Sequence, residues 1–171
     1  VPHHATGKTK LKENVPVLMD FGCIYSGYCS DMTRTMFYGE PDEKFLQAYK
    51  AVYEAHFAAL NNIKAGMTGK EADAIARSVL EKYGYAKYFT HSLGHGIGVH
   101  IHEYPYLAPS RMAVLENGMV FSDEPGVYFD GKFGIRIEDS CYLSGGKVHT
   151  FMKEDKRLIM IKDGEIIKVN M

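Results

Sequence analysis

The sequence predicts an α+β domain in which helices pack on one face of a mainly antiparallel sheet. Three observations carry that expectation. Apolar stretches at 15–22 (VPVLMDFG) and 119–129 (MVFSDEPGVYF) read as strands, each followed by a second strand after a short turn. Two segments between them repeat apolar residues at helical spacing. The tail RLIMIKDGEIIKVNM (157–171) forms two short strands about Asp163-Gly164, a two-residue hairpin turn.

Taken in order, DFGCIYSGYCSD (20–31) is the first hairpin. Folding it about Tyr25-Ser26 pairs Ile24 with Gly27 and sets Asp20 opposite Asp31. The first helix is expected over residues 42–64, with Phe45, Tyr49, Val52, Leu60 and Ile63 on its apolar face. The second opens at TGKE (68–71), where Thr68 and Glu71 can satisfy each other's amides as a capping box. Ala72, Ile75, Val79 and Tyr83 line one face of it, and Gly84 ends it. HSLGHGIGVHIHE (91–103) is too glycine-rich for a helix and fits a strand or loop where backbones approach closely. Were it extended throughout, His100 and His102 would share a face, with Val99 and Ile101 opposite. In EPGVYFDGKFGIRIE (124–138), a loop of Asp130, Gly131 and Lys132 pairs Phe129 with Phe133 and places Glu124 opposite Glu138.

The 171 residues are read as a single domain, long enough to bury a core, with the composition of an ordinary soluble protein: 46% hydrophobic and 24% charged. A net charge of -1 gives no electrostatic case for nucleic acid or an anionic membrane. No apolar run approaches the ~18 residues of a membrane span, and no signal peptide is read. Cys23, Cys29 and Cys141 are odd in number and lack metal-type spacing, so they are expected as free thiols in a reducing cytoplasm. The chain enters its first strand with nothing ahead to cover one flank of the sheet, which reads as part of something longer.

The chemistry concentrates in the opposed acids. Directly opposed side chains stand ~4.5–5.5 Å apart at Cβ, where like charges destabilise the pair. An exposed strand acid is ordinarily a solvated surface group, but two hairpins that each oppose like charges among apolar strands call for a cation. Clustered carboxylates raise one another's pKa unless positive charge sits among them. Oxygen ligands with one or two imidazoles suit Mn²⁺, Co²⁺ or Fe²⁺ better than a thiolate zinc site. The spacing is not that of an HExxH zinc helix, and His56 and His149 are assigned no role.

HSLGHGIGVHIHEYP, DFGxxxxGYxSDMTRT, DEPGVY and GIRIEDS occur together and in order. With them the chain resembles the pita-bread metallopeptidases, in the branch of Xaa-Pro aminopeptidases and Xaa-Pro dipeptidases (prolidases), from Pro2 to about Leu143. The resemblance implies a pita-bread fold, incomplete here: a curved, mainly antiparallel sheet with helices on its outer face. The N-terminal domain and the start of the catalytic domain would be absent. It implies two divalent metal ions, Mn²⁺ first and Co²⁺, Fe²⁺ or Zn²⁺ as alternatives, on Asp20, Asp31, His95, Glu124 and Glu138. Asp31 and Glu138 would bridge the metals, Asp20 would serve one of them, and His95 and Glu124 the other. His3, His91 and His102 would line the substrate site, and Arg136 would support the carboxylates. His100 matches no functional position.

The implied reaction is hydrolysis of an N-terminal Xaa-Pro bond by a hydroxide bridging the two metals. Glu124 would shuttle the proton towards the leaving nitrogen and His102 would stabilise the oxyanion. The substrate is a peptide with proline second. An aminopeptidase is favoured over the dipeptidase, and a metal-free binding module on the same fold is the reading from another class. A homodimer is expected for the full-length protein.

Overall fold

The computed structural model describes Pro2 and residues 4–171. Strand β1 (Val15–Phe21) pairs antiparallel with β4 (Met32–Tyr38), and their hairpin ends in a small ribbon of β2 (Ile24–Tyr25) and β3 (Tyr28–Cys29). Helices α1 (Glu43–Asn62) and α2 (Gly69–Lys82) follow. Then come β5 (Gly94–Gly96), β6 (Glu103–Leu107), β7 (Val120–Asp123), β8 (Gly126–Phe129), β9 (Phe133–Arg136), β10 (Asp139–Ser144) and β11 (Lys147–Thr150). The chain closes on the hairpin of β12 (Ile159–Lys162) and β13 (Glu165–Lys168). One sheet has the order β1-β4-β12-β13, with β12 joining β4 in parallel; the other has the order β11-β10-β7-β5-β6.

The helices sit where their periodicity places them. Asp42 caps α1 by accepting the Phe45 N–H at 2.7 Å. Phe45, Ala48, Tyr49, Val52, Ala55 and Ala59 form its buried face. Thr68 and Glu71 make the expected capping box of α2, and Gly84 follows its end with φ of 71°. The buried face of α2 is rotated from the expected one: Ala72, Asp73, Ala76 and Leu80 point inward, while Ile75, Val79 and Tyr83 pack at its margin. The reason is polar. The Asp73 carboxylate accepts the Leu93 N–H at 3.0 Å and the Arg77 guanidinium at 2.8 and 3.0 Å, so this acid is buried with its partners.

The first hairpin corrects the expected register. Tyr25 pairs with Tyr28, and Asp20 faces Thr33 rather than Asp31. The turn is Ser26-Gly27, with φ of 50° and 85°. A two-residue type I′ turn needs left-handed backbone at both central positions, which Ser-Gly accommodates far better than Tyr-Ser. The slip is two residues, so both aspartates stay on one face and become diagonal neighbours.

The second hairpin keeps its expected register. Phe129 pairs with Phe133 and Gly126 with Arg136, and the same alignment resumes at Asp123 opposite Asp139. Glu124 and Glu138 lie between these paired stretches, across from each other. The Glu138 N–H donates to the Thr33 carbonyl at 3.0 Å, which ties this hairpin to β4. The histidine segment is a short buried strand, β5, followed by bends through 98–102, so the proposed common face of His100 and His102 does not form. Gly94 is required where β5 passes β7, because a Cβ there would overlap the Ser122 carbonyl oxygen.

Candidate metal centre and active site

Four elements deliver the site: the end of the first hairpin, β5, and the two sides of the second hairpin. A cavity of about 290 Å³ is lined by Asp20, Asp31, His91, His95, His102, Glu124, Arg136 and Glu138, together with Ser92, Ile101 and Tyr106. Ligand atoms of Asp31, His95 and Glu138 all lie within 4.8 Å of one another. Nε2 of His95 is 3.3 Å from Oε1 of Glu124 and 3.8 Å from Oδ2 of Asp31. Four of the five residues expected to hold metal therefore converge. The fifth, Asp20, lines the same cavity but turns its half-exposed carboxylate to Arg136, with Nη2 to Oδ2 at 2.5 Å. His3 lies outside the described residues.

Several side chains outside the expected set fix this arrangement. The Thr33 hydroxyl donates to Oε2 of Glu138 at 2.5 Å and accepts from Nε of Arg136 at 3.0 Å. The Ser122 hydroxyl donates to Oε1 of Glu124 at 3.1 Å and accepts the His95 N–H at 3.0 Å. Nδ1 of His95 lies 3.0 Å from its neighbour's carbonyl at Gly96, which leaves Nε2 towards the acids. The Ser140 hydroxyl donates to the Asp31 carbonyl at 2.8 Å. Arg77 donates to the Phe89 and His91 carbonyls at 3.0 Å each, anchoring the segment that leads into the site.

Tyr128 is the residue that sequence reasoning passed over. Its hydroxyl accepts from Nη1 of Arg136 at 2.8 Å and meets Nε2 of His91 at 2.9 Å. It lies inside the quoted DEPGVY stretch, where strand alternation alone gave it no chemistry. The buried Arg136 thus serves Asp20, Thr33 and Tyr128, and also donates to the Pro2 carbonyl at 2.9 Å. His102 is exposed and stacks edge-on against His95 at 4.1 Å between ring centres. His100 is exposed and its N–H donates to Glu103 at 3.0 Å, a loop contact. Tyr128→Phe removes the hydroxyl between His91 and Arg136. The expected result is a fall in kcat of about 10- to 100-fold with Mn²⁺ affinity within a few-fold of wild type; steady-state kinetics beside a metal titration check it.

The electrostatics ask for positive charge. Burial and the Asp20 carboxylate push Asp31 up to about 6. Burial and the Asp31 charge push Glu138 up to about 8, and burial with Glu138 beside it drives Glu124 well above the carboxylate range. Burial lowers His95, keeping it neutral and able to act as a ligand. This donor set, three crowded carboxylates and one imidazole, all buried side chains at one cavity, fits a divalent cation that prefers oxygen ligands.

A pH dependence follows from those shifts. Where folded carboxyls titrate above their unfolded values, the native state holds more protons. Stability of the metal-free protein therefore falls as pH rises from about 4 through about 8. Cations displace those protons, so their hold strengthens over the same range. At Mn²⁺ a hundredfold above Kd at pH 8, Tm should rise by roughly 5–10 °C. The same concentration at pH 5.5 should give a clearly smaller rise, and an equal shift at both values would contradict this electrostatic picture.

Comparison with known proteins agrees with this geometry. The profile of metallopeptidase family M24 matches residues 1–144. The chain belongs to that family. The Xaa-Pro dipeptidase of Lactobacillus helveticus is 42% identical over 164 residues, which is 95% of this chain and 45% of that protein. The solved Xaa-Pro dipeptidase from Bacillus anthracis superposes with a TM-score of 0.92 at 44% identity, covering 94% of this chain and 45% of that one. The X-Pro aminopeptidase from Thermotoga maritima MSB8 gives 0.91 at 36% identity, with 94% and 45% covered. The architecture is accordingly the pita-bread fold, and the chain spans a little under half the length of the curated relatives it matches.

Proposed function

We propose that the protein is a metal-dependent peptidase that hydrolyses the bond between an amino acid and a following proline, with Xaa-Pro dipeptides as its first substrate class. One observation carries the proposal: the buried side chains of Asp31, His95, Glu124 and Glu138 converge on one cavity, where burial and mutual repulsion raise the three carboxyls. The residues that would hold a pair of divalent ions, Mn²⁺ first, are these four and Asp20, whose half-exposed carboxylate would turn from Arg136 to do so. When bound, the ions supply Lewis acidity and make hydroxide available from water near neutral pH.

The chain's own groups do the rest. Glu124, held by Ser122 and buried beside His95, carries a proton towards the proline nitrogen. His102 stands at the cavity with an N–H for the carbonyl oxygen as charge develops there. Arg136 and Tyr128 hold Asp20 and His91 in place. Acylated proline has no N–H, so this substrate presents one donor fewer than other peptides.

The names of the relatives favour the dipeptidase. The match to the Thermotoga maritima aminopeptidase supports the alternative in which the peptide continues beyond proline. Assay of an Xaa-Pro dipeptide against an Xaa-Pro-Yaa tripeptide with Mn²⁺, before and after chelation, separates them. Preferred, chelator-sensitive cleavage of the dipeptide supports the proposal. Preferred cleavage of the tripeptide assigns the aminopeptidase, and cleavage of neither overturns both. A cytoplasmic enzyme, dimeric at full length, is the corresponding cellular reading. No helix among the described residues is long and apolar enough to cross a membrane.

A further inference from the structure

Behind the metal-facing side of the second hairpin lies another acid pair. Asp123 and Asp139 are direct partners in β7 and β10, both completely buried, and each is the chain neighbour of a cavity glutamate, Glu124 or Glu138. Directly opposed like charges are destabilising, and here they sit without solvent. The positive charge that meets them comes from α1, from Arg34 on β4 and from the segment after β11. His56, fully buried on α1, places Nδ1 3.0 Å from Oδ2 of Asp123 and Nε2 3.6 Å from Oδ2 of Asp139.

The two aspartates are served unequally. Asp139 also receives Arg34 at 2.7 Å, Lys156 at 3.1 Å and the Thr150 hydroxyl at 2.7 Å. Asp123 has His56 as its one cationic neighbour within 4 Å among the described residues, and its carboxylate oxygens make no hydrogen bond there. Burial alone would lower the His56 pKa, but the two facing carboxylates outweigh it and push it up to about 9. The hairpin is therefore held from both faces. On one, Glu124 and Glu138 converge on the cavity; on the other, Asp123 and Asp139 close on a histidine.

We propose that His56 is a positioning residue for the metal centre, its ring clamping the Asp123–Asp139 pair from the helix side and so setting the spacing of their chain neighbours Glu124 and Glu138. The inference rests on the metallopeptidase reading above. Partners one step removed from metal ligands tune metal affinity by orienting them, and this clamp acts through the backbone of the hairpin that carries two of the ligands.

The test is a Mn²⁺ titration of the wild-type protein, His56→Leu, Asp123→Asn and Val52→Ala. Val52 lies one turn from His56 on the same buried face and contributes packing alone. His56→Leu is expected to raise the Mn²⁺ Kd about 10- to 100-fold. Asp123→Asn keeps the side-chain shape and removes the attraction; it remains readable if His56→Leu fails to fold, and should raise Kd at least threefold. Val52→Ala should lower Tm and leave Kd unchanged. A folded Asp123→Asn with Kd raised less than threefold overturns the clamp, as does a Val52→Ala that weakens Mn²⁺ as much as His56→Leu. Wild-type protein that takes up no Mn²⁺ overturns the metal reading itself, and the clamp with it.

Discussion

Replacing Glu138 by glutamine should weaken Mn²⁺ binding at least about 100-fold and reduce peptidase activity by about 10³-fold or more, while the metal-free protein becomes no less stable. The first half follows from position. Glu138 is buried, lies within ligand distance of Asp31 and His95, and is oriented by Thr33. Losing a ligand should exceed the 10- to 100-fold cost of losing an outer partner. Lewis-acid stabilisation worth several kcal/mol, at 1.36 kcal/mol per tenfold, sets the scale for activity.

The second half follows from the sign of the pKa shift. Burial and the Asp31 charge raise Glu138 to about 8 in the folded state. Above its ordinary value an ionised Glu138 therefore opposes folding, increasingly up to that pH. Glutamine keeps the shape and lifts that penalty, so metal-free Glu138→Gln at pH 8 should melt at or above the wild-type Tm. Thermal melts beside a Mn²⁺ titration check both halves. A variant that loses activity only because it unfolds would contradict the assignment of Glu138 as a ligand.

Arg136→Met should have the opposite profile, with stability falling first. Arg136 is buried and is the shared donor to Asp20, Thr33, Tyr128 and the Pro2 carbonyl. Its Nε is also 3.9–4.0 Å from carboxylate oxygens of Glu138 and Glu124. Methionine fills much of the volume and supplies none of these donors. Removing one partner from a buried ionic network costs about 3–5 kcal/mol, roughly 6–20 °C in Tm for a domain of this size. Asp20 is half exposed and can turn to water, so the lower part of that range is expected. Added Mn²⁺ should recover part of the loss by supplying the missing positive charge. Melting curves with and without Mn²⁺ read this out, and an unchanged Tm would show that the carboxylates do not depend on the guanidinium.

Much of the fold, and the opposed acids of the second hairpin, was legible in the sequence because those signals are local. A capping box at Thr68 and Glu71, turn residues at Asp163-Gly164 and Asp130-Gly131, and alternation in the second hairpin are each settled within a few residues. Opposing Glu124 to Glu138 needed only the right loop length. The first hairpin was misjudged for an equally local reason: the turn belongs to Ser26-Gly27, and the even slip preserved the shared face of Asp20 and Asp31 while ending their direct opposition. The glycines at 91–103 left strand and loop both open, and alternating residues there mimic a strand where the chain bends through 98–102.

What could not be read was long-range pairing of ordinary residues. Nothing marks Thr33 as the partner of Glu138, 105 positions away. Ser122 and Tyr128 belong to the recognised stretch, yet their roles depend on β5 and Arg136 arriving beside them. His56 is a lone histidine on a helix, a position that usually carries no chemistry. Only the fold shows that α1 brings it against the acids behind both glutamates.

The most direct measurement is calorimetric titration of the chelated protein with Mn²⁺ at pH 7.5, in two buffers of different ionisation enthalpy. Uptake with micromolar or tighter Kd, accompanied by release of protons from the crowded carboxyls, is the predicted result. Absence of binding at that concentration, or binding with no proton release, would contradict a cavity built to hold cations.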